Sequence, residues 1–355
     1  MFSSKPSPVF DRDWNVKTLP RIGITMGDPA GIGPEIAVKA LSDRELFRVC
    51  RPLVLGDPNA LSPFCKTTPD IALSEVASAE KAGERPGVLD VLAASRLDPV
   101  LLRPGRPSLE GGKAMVSAVT QAVDMALDGT LDGVVTGPIS KVLMRRAGYA
   151  YDGHTELLAH RTGIEHVAMM LAGDRLRVVL VTIHCALRDV PDLLTEEGIH
   201  RTLVLTDRGL RSDFGMASPR LAVAALNPHA GEQGLFGREE TEILAPAVHR
   251  ARADGLDANG PFPADTLFHA AASGQYDAVV CMYHDQGLIP LKLLHFADGV
   301  NVTLGLPMVR TSVDHGTAYD IAGQGIADPS SLKAAIRMAA QMAENRKNPR
   351  PSELP

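Results

Sequence analysis

The sequence predicts an α/β fold on a mainly parallel sheet, and three observations predict it. Short apolar, β-branched runs alternate with stretches of helical spacing along the 355 residues, the order that strand–helix–strand units produce. Several of those runs stop abruptly at Gly, Asn, Asp or His, as strands do when they present a site at the carboxyl edge of an open sheet. One pair of runs, over 167–171 and 178–183, is separated by a turn around Gly173-Asp174 and reads as a hairpin, so some antiparallel pairing is expected.

Residues 1–20, MFSSKPSPVFDRDWNVKTLP, are rich in Ser, Pro and charge. They read as a loose extension and, lacking an apolar centre, not as a signal peptide. A first strand follows over 21–26 (RIGITM), then a tight turn, Gly27-Asp28-Pro29-Ala30-Gly31-Ile32-Gly33. Pro34 and Glu35 open a helix that runs to about Leu41. This unit could cradle an anion on its helix N-terminus. It lacks the Gly-Lys-Ser/Thr of a P-loop and the third Gly of a dinucleotide fingerprint, so a plain turn needing glycine geometry serves equally.

A second strand lies over 53–56, and residues 67–100 mix short apolar pieces with Pro and Gly. Glu110-Gly111-Gly112 precedes a helix over 113–127, whose broad apolar face includes Val116, Val119 and Val123. The strand over 133–136 (GVVT) ends in Gly137-Pro138 ahead of Lys141, and the polar turn Tyr151-Asp152-Gly153-His154-Thr155-Glu156 enters a helix over 157–161. Beyond the hairpin, an amphipathic helix spans about 192–209. The strand over 221–226 ends in Asn227-Pro228-His229-Ala230-Gly231, and 231–237 reads as a flexible loop. A helix from Arg238 is interrupted or kinked at Pro246. A short helix over 264–273 leads to the apolar run 278–282, and a helix over 331–345 closes the chain.

With 45% apolar residues the chain can bury a sizeable core, in what reads as two lobes. No repeat or linker marks a boundary, as expected of lobes that exchange the chain more than once. A net charge of −6 and 4% aromatics argue against nucleic acid or an anionic membrane as a partner. No apolar run is long enough for a membrane span. The four cysteines are scattered without a CxxC, and Cys185 and Cys281, in or beside apolar runs, read as buried thiols. That usage fits a reducing cytoplasm.

Three strand ends each deliver a histidine: His184 after the run 177–183, His229 after 221–226, and His284 after 278–282. One such His is more often a cap or a packed polar group; three suggest a metal site, because neutral imidazole is the commonest nitrogen ligand and three with an open position are a catalytic arrangement. The spacing is long-range and fits no local metal motif. The stretch 282–325 then adds Lys292, Asn301, Arg310 and the cluster Asp314-His315-Gly316-Thr317. Surface ion pairs for Lys292 and Arg310, and a helix cap for Thr155, are the ordinary alternatives. The remaining histidines, at 160, 166, 200, 249, 269 and 295, follow no strand-end pattern and read as surface or packing residues.

The motifs MGDPAGIGPE, VTGPISK, GHTE, NPHAGE, MYHDQGL, GVNVTLGLP and RTSVDHGTAYDIAG, in this order from Arg21 to Gly325, resemble the PdxA family, the 4-hydroxythreonine-4-phosphate dehydrogenases of pyridoxal phosphate biosynthesis. The stretch DHGTAYDIAGQGIADP also resembles the cofactor loop of isocitrate and isopropylmalate dehydrogenases. Together these resemblances imply a two-lobed isocitrate/isopropylmalate dehydrogenase-like fold, with a cofactor-side lobe over 21–140 plus 300–355 and a metal and dimerisation lobe over 141–299. They imply NAD or NADP, a divalent metal (zinc, cobalt or magnesium) on His184, His229 and His284, and a homodimer whose active site is completed between subunits. The family's substrate contacts fall on His154, Thr155, Lys292, Asn301 and Arg310, with Lys292 relaying a proton or meeting the carboxylate. By likeness to the isocitrate-type loop, the cofactor contacts fall on Asp314, His315, Gly316, Thr317 and Asp320. The implied reaction oxidises 4-phosphohydroxy-L-threonine to a 3-keto acid that decarboxylates to 3-amino-2-oxopropyl phosphate. Related enzymes act on threonate or erythronate 4-phosphate, or on cyclic dihydrodiols. Further alternatives are a three-His metal hydrolase or lyase that needs no nicotinamide, and a non-catalytic binder of phosphorylated metabolites that needs no metal.

Overall fold

The computed structural model describes residues 19–348 except Asp152, and the side chain of Thr155 lies outside that description. The expected extension over 1–20 therefore falls outside the described residues for all but its last two. The strands are β1 Arg21–Thr25, β2 Arg51–Gly56, β3 Ala72–Glu75, β4 Val88–Ala93, β5 Gly133–Thr136, β6 Ala168–Ala172, β7 Arg177–Leu180, β8 Arg220–Ala224, β9 Asp257–Phe262, β10 Ala278–Cys281, β11 Val300–Leu304 and β12 Val309–Val313. They form one twelve-stranded sheet in the order β3-β4-β2-β1-β5-β12-β11-β6-β7-β10-β8-β9.

The sheet is mixed and mostly parallel. Antiparallel pairing is confined to β6–β7, β6–β11 and β11–β12. Residues of β2, β5 and β10 are buried throughout, which is why these strands read as unbroken apolar runs rather than alternating ones.

Helices cover both faces: α1 Gly33–Leu41, α2 Pro58–Thr67, α3 Leu109–Leu127, α4 Lys141–Arg146, α5 His154–Thr162, α6 Val190–Leu193, α7 Glu196–Ser212, α8 Ala245–Ala253, α9 Ala264–Ala272, α10 His284–Leu294 and α11 Ser330–Lys347. The core joins Ile24 and Met26 of the first strand region to Ile36 of α1, Leu203 of α7, and Ala335, Ile336 and Ala339 of α11. No helix among the described residues is long and apolar enough to cross a membrane.

Several local expectations change. Helix α3 begins four residues before Lys113, because the Ser108 hydroxyl accepts from Gly111 N and caps it. The single helix expected over 192–209 is two, since Thr195 starts α7 with its own side-chain cap on Gly198 N. The interruption at Pro246 is a π-turn over Glu240–Leu244 that precedes it, an adjustment suited to a residue without an N–H. Strand β7 stops at Leu180, three residues short of Ile183, and Cys185 beyond it is exposed rather than buried. The loop over 231–237 is not loose: Pro228–Gly234 is wound into a tight left-handed turn.

Candidate active site

Sheet order brings the three histidine-bearing strand ends together, because β7, β10 and β8 are neighbours. Beyond β7 the backbone stays beside β10, with Val181 N donating to Cys281 O at 2.9 Å and Thr182 Oγ1 to Met282 O at 2.7 Å. That extension carries His184 to His284, the first residue of α10, with ring centroids 5.7 Å apart. The start of α10 is fixed by Gln286, which accepts from Met282 N at 2.7 Å and donates to Ala225 O at 2.6 Å. His284 Nδ1 lies 2.7 Å from Asp285 Oδ1. A carboxylate there holds the proton on Nδ1 and leaves the Nε2 lone pair free. Burial, then Lys141 and His284, hold His184 below the ordinary imidazole range, so its ring is neutral near pH 7. Two adjacent imidazoles fit a borderline divalent cation such as zinc or cobalt better than magnesium.

His229 does not join them in the same copy. It is exposed, with its ring 6.4 Å from that of Phe236 and outside the cleft that His184 and His284 line. Among the described residues, no three His, Cys, Asp or Glu side chains converge on one point.

The cleft has a volume of about 980 Å³. One wall is the face of α10 that carries His284, Leu288 and Lys292, spaced i, i+4 and i+8. The floor carries Asn301 of β11 with Arg310 and Ser312 of β12, and Lys141, His154 and Glu156 also line the cleft. Lys292 Nζ pairs with Asp314 Oδ2 at 3.1 Å.

Arg310 is 3% exposed, and each of its bonded partners among the described residues is a neutral side chain. It donates to Thr303 Oγ1 at 2.8 Å, Thr136 Oγ1 at 2.7 Å and Asn301 Oδ1 at 3.2 Å, while its Nε is buried without a partner. Burial pushes the guanidinium down to about 9, which leaves it a cation at neutral pH. His154 opens α5, and its Nε2 is likewise buried and unpartnered. Burial, then Arg310 and Lys141, hold its pKa well below the usual imidazole value.

Of the expected cofactor contacts, Asp314, His315 and Gly316 line the cleft, and His315 Nε2 is a third buried nitrogen without a partner. Thr317 does not line it. Its carbonyl accepts from Ile32 N at 2.9 Å, tying this loop to the first turn. Asp320 is exposed on the same loop. Tyr319 donates to Asp28 Oδ2 at 2.6 Å, and burial raises the Asp28 carboxyl above its ordinary value. Thr155 lies in α5, with its side chain outside the described residues. The residues that sequence reasoning left out of the site are Lys141, Glu156, Thr136 and Thr303. Lys141 carried the same signal as the histidines, a polar residue just past a buried strand.

Residues 48–339 match the family described as pyridoxal phosphate biosynthetic protein PdxA. A 4-hydroxythreonine-4-phosphate dehydrogenase of Desulforapulum autotrophicum is 55% identical over 327 residues, covering 91% of this chain and 96% of the relative. One of Geobacter metallireducens is 55% identical over 330 residues, covering 92% of this chain and 96% of the relative. The crystal structure of 4-hydroxythreonine-4-phosphate dehydrogenase from Klebsiella pneumoniae superposes with a TM-score of 0.86 at 44% identity, covering 92% of this chain and 98% of that one.

Proposed function

The chain belongs to the PdxA family and is an oxidoreductase of pyridoxal phosphate biosynthesis; from that premise we propose how its residues carry out 4-hydroxythreonine-4-phosphate dehydrogenation. The observation that carries the reading is the anion-seeking floor of the cleft. Among the described residues Arg310 is a buried cation with no carboxylate partner, and Arg310 Nε, His154 Nε2 and His315 Nε2 are all buried and unsatisfied around the same space. Unpartnered buried polar atoms are rare and call for a ligand. The phosphate of 4-phosphohydroxy-L-threonine would sit against Arg310 and His154, with Asn301 and Thr155 completing its contacts. A planar guanidinium suits that group through paired, charge-assisted hydrogen bonds.

Lys292, held by Asp314, stands beside His284 on the wall of α10. There it would either neutralise the substrate carboxylate as an ammonium or, as the free amine, take up and relay the hydroxyl proton. His184, His284 and, across a homodimer interface, His229 of the partner subunit would hold a divalent metal, which when bound lowers the pKa of a ligated alcohol. The loop from Asp314 to Asp320 would border NAD or NADP, which when bound supplies the hydride acceptor. The secondary alcohol thus loses a hydride and a proton to become a ketone. The β-keto acid then loses carbon dioxide, its carbon takes a proton, and 3-amino-2-oxopropyl phosphate results. Lys292 keeps cationic charge near the developing enolate.

The test follows nicotinamide reduction with 4-phosphohydroxy-L-threonine, unphosphorylated 4-hydroxythreonine and threonate 4-phosphate. Arg310→Lys removes the planar fork, at about 1.5–3 kcal/mol per charged hydrogen bond. The expected result is a roughly 10- to 100-fold rise in KM for the phosphorylated substrate and little change for the unphosphorylated one. Equal effects on both would show that Arg310 does not read the phosphate. Faster turnover of threonate 4-phosphate would replace the substrate.

A further inference from the structure

The segment from Asn227 to Glu240 contributes nothing to the wall of its own cleft, yet its backbone is held in a costly shape. His229, Ala230, Glu232 and Gln233 all have positive φ, at 52°, 53°, 43° and 57°, with Gly231 between them at 76°. They are four of the six non-glycine residues of this kind among the described residues. The left-handed region crowds Cβ against the backbone of any L residue. Consecutive residues stay there only when their surroundings over-determine them.

What over-determines them is a buried carboxylate. Glu240 is 4% exposed. Its Oε1 accepts from Asn227 N at 2.7 Å and its Oε2 from Asn227 Nδ2 at 3.0 Å, while Asn227 Nδ2 also reaches Glu239 Oε2 at 2.7 Å. The turn wraps this carboxylate so closely that a Cβ on Gly231 would stand 2.6 Å from Glu240 Oε2. Phe236 N closes the wrap onto Gly231 O at 3.2 Å. The π-turn that starts at Glu240 sets the register of this carboxylate against the strand end of β8. A buried carboxylate is a poor choice for packing alone, since burial of charge costs unless it is paired or bonded. Among the described residues, the bonds of this one go to the root of the histidine-bearing turn.

We infer that Glu240 and Asn227 are positioning residues: they hold the left-handed turn that aims His229 away from its own cleft and toward that of a second copy. The inference rests on the reading of His229 as the imidazole supplied across the dimer.

The test titrates cobalt(II) into the full-length protein, following its visible absorption. Amide hydrogen exchange over 228–236 and thermal stability are measured alongside. His229→Ala, Asn227→Ala and Glu240→Gln are compared with the wild type. The expected result for Asn227→Ala and Glu240→Gln is cobalt binding weakened about 10- to 100-fold, the range for partners that orient a metal ligand. Exchange over 228–236 should quicken in both, whereas His229→Ala should lose cobalt and keep its exchange protection. Asn227 is only half-buried, so its variant decides the matter if Glu240→Gln does not fold. Wild-type cobalt affinity, or unchanged exchange, in folded Asn227→Ala overturns the positioning role and leaves the three-imidazole reading standing. Wild-type cobalt affinity in His229→Ala overturns that reading, and the positioning role with it.

Discussion

At the level of single residues, the site is a set of charges and imidazoles, and burial shifts three of them, His154, His184 and Arg310. His154 is the clearest case, because burial, Arg310 and Lys141 all oppose a charge on its ring. The folded state therefore binds this proton less readily than the unfolded state. Its contribution to stability is whole above the ordinary histidine range, about 6.5, and is lost as pH falls below it. The melting temperature of the free protein should fall below that pH, and His154→Asn should remove part of the fall. Added inorganic phosphate should raise the His154 pKa, read from its ring protons by NMR. A His154 that titrates at the ordinary value, and ignores phosphate, contradicts the anion site. His284, Lys292 and Arg310 were legible because they crowd one short polar stretch. Thr136 and Thr303 were not, because their role exists only once β12 lies between β5 and β11.

At the level of elements, α10 organises the cleft, and it was hidden by its own sequence. Gly287 and Pro290 argue against a helix, and the polar His284-Asp285-Gln286-Gly287 reads as a turn. Gln286, bonded to the ends of both β8 and β10, fixes the start instead. Strands β3, β4, β9, β11 and β12 escaped notice because they are short and their partners are distant in sequence, so local periodicity could not separate them from loops. Residues 231–237 read as a loop for a similar reason, since Glu240 holds the left-handed turn over Pro228–Gly234 through side-chain bonds. The first glycine turn was legible, and the structure shows its use. A Cβ on Gly31 would meet Thr317 O at 2.8 Å. Gly31→Ala should therefore wedge the first turn from the 314–320 loop, at about 1–3 kcal/mol of overpacking. KM for the nicotinamide cofactor should rise about 10-fold or more, with phosphate binding spared. An unchanged cofactor KM would detach that loop from cofactor binding.

At the level of the whole molecule, the alternation of strands and helices foretold the mixed, mostly parallel sheet, and the hairpin foretold its antiparallel part. The sequence could not show that all twelve strands join in one sheet, because that depends on β11 and β12 pairing across its middle. Nor could it show that His184 and His284 meet while His229 turns away. Ile289, Leu293 and Phe296 stand 68%, 85% and 84% exposed on and just after α10, and Leu235 and Phe236 are exposed beside His229. Exposed apolar side chains gathered near an incomplete site are what a second copy would cover. The most direct test mixes two inactive variants, His229→Ala and His284→Ala, under conditions where tagged subunits are shown to exchange. If the site is shared, each mixed dimer keeps one intact set of imidazoles, and an equal mixture should regain about a quarter of wild-type nicotinamide reduction. If all three histidines serve one copy, proven exchange will restore none, and the shared site is refuted.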